Sequence, residues 1–193
     1  MSTQAKRGPR MAQIAPEKMT ETQKKAAEEI ASGPRGSVRG PFNVLLRSPE
    51  LMSPLQRVGE YLRFKSPLDR RIAEMATLLA ARQWTQVYEW SAHHPLALKA
   101  GLKPEVADAI AEGRRPTNMA ADEEALYDLL TELFQNRSVS DVTYERGIKQ
   151  FGEQQVVELV ALGGYYALLG MLMNVARTDL PEGKTPGMPH FPN

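Results

Sequence analysis

The chain has 193 residues, with 24 Lys and Arg against 23 Asp and Glu, for a net charge of +1. So close a balance argues against a one-signed basic surface for nucleic-acid phosphates, and 42% hydrophobic with 24% charged residues is a globular composition rather than a disordered one. Cysteine is absent, which excludes disulfides, thiolate metal sites, iron–sulfur clusters, and cysteine nucleophiles or redox dithiols.

The first residues carry a small basic cluster, Lys6, Arg7 and Arg10, with no apolar run of signal-peptide length behind it, so residues 1–15 read as a flexible tail of a cytoplasmic protein. Pro16-Glu17 opens a helical pattern to Ala31, which Gly33-Pro34 ends. Arg35 to Pro41 is rich in Gly, Pro and Arg and reads as a loop able to line a cavity mouth. From Pro49, Leu51, Leu55, Val58 and Leu62 fall at helical spacing on one face, and the pattern fades near Lys65. Ser66-Pro67 then reads as cap and first turn of a helix carrying Leu68, Ile72, Met75 and Leu79 on one stripe and reaching Ala81 or Arg82.

Thr85 reads as the cap of the next helix, with Gly101 as its stop and Pro95 as an internal kink. Pro104 to Gly113 gives a short helix, and Ala121–Phe134, Ser140–Phe151 and Gln154–Arg177 three more. The run from Leu159 to Met173, with glycines at 163, 164 and 170, reads as a buried core helix too short to span a bilayer. With no alternating strand pattern, the fold class is all-α, about seven or eight helices forming one domain over 16–178, followed by a Pro/Gly-rich tail over 179–193.

Chemistry concentrates between Glu74 and His94. Gln86, Glu89 and His93 recur at steps of three and four and share one helical face, and Glu74 sits on the arm before the turn. If that face turns inward, Glu89 and His93 can hydrogen-bond each other, and Glu74 can reach the same cavity. Burial then separates their titrations and supplies an acid and a base. The plain alternative is a solvated helix face, with Glu74 paired to Arg70 or Arg71. Adjacent histidines diverge by about 100° on a helix and do not chelate together, so no metal is expected.

The stretches Leu68 to Glu74, Ala80 to Arg82, Tyr88 to Pro95 and Ala100 to Leu102 resemble the carboxymuconolactone decarboxylase family, which includes the alkylhydroperoxidase D proteins. In that second branch a Glu is followed by Cys-x-x-Cys-x-x-x-His; here Glu74 and His93 match, while Gln86 and Glu89 occupy the cysteine positions. Thiol peroxide reduction is therefore not expected. The resemblance implies an alkylhydroperoxidase D-like helical bundle around a central hairpin, assembled as a homo-oligomer, trimer or hexamer, with the hairpin in a pocket. It also implies cofactor-free decarboxylation of a carboxylated lactone or related small acid, with lactone hydrolysis or isomerisation, or a non-catalytic binding role, as alternatives. On that reading Glu74, Glu89 and His93 are catalytic, His93 donating the proton and Glu89 orienting it. Gln86 donates to a lactone carbonyl, Arg82 anchors a carboxylate with Arg39 or Arg47 as alternatives, and Tyr88, Trp90 and His94 bind substrate. No cofactor, nucleic acid or membrane partner is expected.

Overall fold

The structure is a computed structural model that describes residues 8–189. Eight α-helices, and no strand among the described residues, make an all-helical molecule: α1 Glu21–Ala31, α2 Pro41–Leu45, α3 Pro49–Phe64, α4 Arg70–Gln83, α5 Val87–Lys99, α6 Pro104–Ala111, α7 Ala121–Asn136 and α8 Asp141–Ala176. Helix α4 is the hub. Every residue from Ile72 to Arg82 is buried, and it packs against α5, α6, α7 and α8. A helix covered on all sides needs an apolar, small-residue surface, which its Ala, Leu and Met content provides.

Several boundaries differ from the sequence expectation, each for a local reason. The pattern from Pro16 divides into a short 3-10 turn, Pro16–Lys18, and α1, because Thr20 forms a reciprocal capping box with Gln23 and restarts the helix there. Helix α4 starts at Arg70 rather than at Pro67: Asp69 caps it by accepting from the Ile72 amide at 3.2 Å, while the Ser66 hydroxyl accepts from the Leu68 amide at 3.2 Å and donates to Glu158 ahead of the helix. Gln86, not Thr85, caps α5, accepting from the Tyr88 amide at 2.7 Å; Thr85 takes a left-handed backbone (φ 46°) in the turn. Helix α5 runs through Pro95 to Lys99, and Gly101, at φ 100°, follows its end as expected. The short helix α2 was not expected from its Pro/Gly-rich approach.

The face of α3 that turns inward carries Met52, Gln56, Gly59 and Leu62, so Leu51 and Val58 from the anticipated stripe are exposed. The two helical patterns after Ser140 form one long element, α8, broken at Gly152 (φ 76°, ψ 165°). By length and composition alone α8 could cross a membrane, with a mean hydropathy of 1.8 over its most apolar stretch, contrary to the expectation of a run too short to span. Within the molecule its inner residues Leu159, Leu162, Tyr166, Leu169 and Met173 are core.

The segments set apart as tails touch this core where they are described. The Arg10 amide donates to the Ala176 carbonyl at 2.8 Å. Met188 is buried, and Gly187 lies so close to the Trp90 ring that a Cβ there would sit 3.3 Å from it. Lys6 and Arg7 of the basic cluster lie outside the described residues.

Candidate active site

Helices α4 and α5 form the anticipated hairpin, and their turn is fixed by polar contacts from α8. Asn174 donates to the Trp84 carbonyl at 2.7 Å and accepts from the Gln86 amide nitrogen at 2.9 Å. Gln86 is therefore consumed at both ends, by the α5 cap and by Asn174, and does not present a donor to a substrate.

Beyond the turn, the face of α5 bearing Glu89 and His93 looks into a cleft of about 1160 Å³. The Arg35–Asn43 stretch, α3 and α8 form much of its remaining wall. His93 pairs with Glu74, not with Glu89: its Nδ1 lies 2.7 Å from Glu74 Oε2, while Glu74 Oε1 lies 2.6 Å from Arg70. Both oxygens of Glu74 are thereby engaged. Burial pulls its titration upward, but the hydrogen bond of His93 and the charges of Arg70 and Arg63 outweigh burial and leave it below the usual value. Burial likewise pushes His93 below its usual value, against the opposing pull of Glu74. The two shifts agree on one state, an ionised Glu74 beside a neutral His93. An ionised carboxylate only accepts, so Nδ1 carries the proton and Nε2 keeps its lone pair. The edge of the ring meets Tyr166, with centroids 4.9 Å apart.

Glu89 is the opposite case. Its side chain is 3% exposed, and neither carboxyl oxygen has a hydrogen-bond partner in the protein. Burial alone raises its titration well above the ordinary value of 4.5. Gly170 of α8 admits it, since a Cβ at that position would lie 3.3 Å from Glu89 Oε2.

The other anticipated residues divide. Tyr88 lines the cleft and packs against Gly40, where a Cβ would overlap its ring. Arg82 donates instead to the backbone carbonyls of Ala111 and Pro189, away from the cleft. Trp90 is core, stacked on His94 with centroids 5.7 Å apart, and neither ring lines the cleft. Arg39 lines it, whereas Arg47 is held by the Asn43 and Ala12 carbonyls. Sequence reasoning missed Arg35, Arg63, Tyr165 and Tyr166; the only signal was the Gly/Pro/Arg loop that contains Arg35. Among the described residues no group of three or more His, Asp or Glu side chains is placed to hold a metal ion.

Fold and site together define an all-helical protein whose central hairpin turns two carboxylates and an imidazole towards one cleft. Residues 49–132 match the model of the carboxymuconolactone decarboxylase family, so the resemblance read from the hairpin is confirmed over that stretch, in a chain without cysteine. The fold is shared with an uncharacterised peroxidase-related protein from Ralstonia eutropha JMP134, solved as an alkylhydroperoxidase AhpD core, at TM-score 0.73 and 16% identity over 92% of this chain and 95% of that one. A peroxidase-related protein from Silicibacter sp. TM1040 gives TM-score 0.73 and 12% identity over 93% and 95%. A protein of unknown function from Agrobacterium tumefaciens gives TM-score 0.65 and 16% identity over 74% and 99%. No curated protein matches the chain by sequence.

Proposed function

We propose that this chain is a cofactor-free, thiol-independent acid–base enzyme that decarboxylates a small carboxylated lactone or a related organic acid. The observation that carries this reading is the unpartnered, buried carboxyl of Glu89, set in the same cleft as the neutral imidazole of His93. A carboxyl whose titration burial raises and an imidazole whose titration burial lowers supply an acid and a base in one enclosure.

The lactone carbonyl serves as electron sink. The bond from ring carbon to carboxylate breaks, carbon dioxide leaves, and the electron pair passes into the conjugated carbonyl as an enolate. The Glu89 proton then moves to carbon and completes the product. The Glu89 carboxylate left behind is disfavoured by burial and recovers a proton from solvent through His93, which Glu74 holds in orientation. Relative to the sequence reading, Glu74 rather than Glu89 positions the imidazole, and Glu89 rather than His93 is the donor. Ring opening or isomerisation would use His93 Nε2 as base in the same cleft and is the second outcome the assay must separate.

The test is to follow carbon dioxide release and ring opening in parallel on a panel of carboxylated lactones with wild type, Glu89→Gln and His93→Ala. Loss of about 100-fold or more in carbon dioxide release by each variant, with helical content retained, is the expected result. Equal turnover in all three proteins would end the proposal.

We also propose self-association through the outer face of α8. Val157, Val160, Met171 and Val175 lie on one side of the helix and are 38–68% exposed, which supports burial against a second copy. Light scattering on wild type and Val157→Glu tests this, with a shift to smaller species expected in the variant.

A further inference from the structure

Arg70, the first residue of α4, divides its guanidinium between two elements. Nη1 donates to the Arg63 carbonyl in the last turn of α3 at 2.9 Å, and Nη2 lies 2.6 Å from Glu74 Oε1. Glu74 Oε2 in turn takes the Nδ1 proton of His93 at 2.7 Å. Groups from α3, α4 and α5 thus form one chain, from a helix end through a guanidinium and a carboxylate to the imidazole.

The sequence prepares both ends of the fork. Four residues after Arg63 stands Pro67, which has no amide proton, so the Arg63 carbonyl cannot be satisfied by another helical turn and is open to a side-chain donor. A cation is also favoured beside the C-terminal carbonyls of a helix. On α4, Arg70 and Glu74 are four residues apart and share a face, whereas Arg71, one position on, is turned to Asp122 and Glu123. The chain also runs from water to the interior: the Arg70 side chain is 45% exposed and borders the cleft, while those of Glu74 and His93 are buried.

The charged and titratable groups around His93 are Glu74 and Arg70 of α4, Arg63 of α3, Glu89 of α5 and Tyr166 of α8, with Arg35, Arg39, Tyr165, Asp179 and Lys184 elsewhere on the cleft wall. Among the described residues Glu74 alone hydrogen-bonds the ring, and Arg70 is the cation paired with Glu74.

We propose that Arg70 is a positioning residue for His93 that acts through Glu74: by holding one carboxylate oxygen it leaves the other as the acceptor for Nδ1, and so keeps the imidazole a base with Nε2 unprotonated. This deepens the acid–base reading above, and its first readout needs no substrate. With Arg70 drawing on its charge, Glu74 orients the ring without strongly favouring an imidazolium. Without Arg70 the carboxylate's charge falls on the imidazole alone and a repelling cation is gone, and both changes make His93 easier to protonate.

The test is long-range proton–nitrogen NMR of the imidazole rings during a pH titration of wild type, Arg70→Gln, Arg70→Lys and Arg71→Gln, with His93→Ala to assign the signals. Wild type should show neutral His93 protonated at Nδ1, with a midpoint below the ordinary 6.5. Arg70→Gln should raise that midpoint by about half a unit or more, and Arg70→Lys, a charge without the fork, by less. Arg71→Gln, whose partners lie on α7, should leave it where it is in wild type. A wild-type ring protonated at Nε2 overturns the proposal whether or not any variant folds, as does an unchanged midpoint in Arg70→Gln. The expected shift without turnover of any lactone would instead remove the decarboxylase reading and leave the role of Arg70 standing.

Discussion

Two glutamates with the same side chain have their titrations shifted in opposite directions by a single difference, the presence or absence of a partner. Glu74 has Arg70 and His93 on its two oxygens and its titration is lowered, whereas Glu89 has neither and burial raises its titration. Each shift has a stability signature. With its folded titration raised above 4.5, Glu89 binds a proton that the unfolded chain has released, so its contribution falls as pH rises from about 4.5 through the folded value. Glu89→Gln should therefore match wild type below pH 4.5 and be the more stable protein at neutral pH, as read by urea unfolding across that range. Glu74 has the reverse sign: its folded titration is lowered, so its stabilisation is present above 4.5 and lost as pH falls through the folded value. Glu74→Ala should cost about 1–3 kcal/mol at neutral pH, since it leaves a buried imidazole N–H without an acceptor, and should flatten the acid limb of the same curves.

At the scale of elements, the cleft depends on places where a helix starts, stops or is closely approached. Gly40 precedes α2 at φ 52° and ψ −122°, a conformation open only to glycine, and its missing side chain is the space that Tyr88 fills. Gly40→Ala should destabilise by about 1–3 kcal/mol in denaturant unfolding and shift the tyrosine absorbance of the folded protein, because both the backbone and Tyr88 must move. Gly152 is strained in conformation but open in space, with nothing within 4 Å of its virtual Cβ. Gly152→Ala should accordingly cost only the backbone term, about 1 kcal/mol, and leave the cleft unchanged.

Across the whole molecule, residues after α8 tie distant parts together. Thr178, Asp179, Pro181 and Lys184 border the cleft, Gly187 lies against Trp90, Met188 beside it is buried, and Pro189 takes a hydrogen bond from Arg82. Met188→Ala should lower stability by about 2 kcal/mol in denaturant unfolding, through the cavity it leaves in the core. The same closing segment explains why Arg82 does not serve the cleft: on a buried helix its guanidinium is spent on carbonyls contributed by α6 and the C-terminal stretch.

The residues alone fixed a good deal. Helical spacing, caps and the lack of alternating strand patterns determined an all-α chain with a polar hairpin face, and the absence of cysteine determined that thiol chemistry is closed to it. These properties are local or compositional, and a chain carries them before it folds. Which glutamate faces the imidazole, which arginine holds that glutamate and which glutamine is consumed by a cap were decided only when α3, α5 and α8 closed around α4. A spacing of three or four places Glu89 and His93 on one face, but burial and pairing belong to what the neighbouring helices bring within hydrogen-bond reach. Arg35 and Tyr165 lie 130 residues apart in the chain, and only the folded molecule sets them together against Gly59.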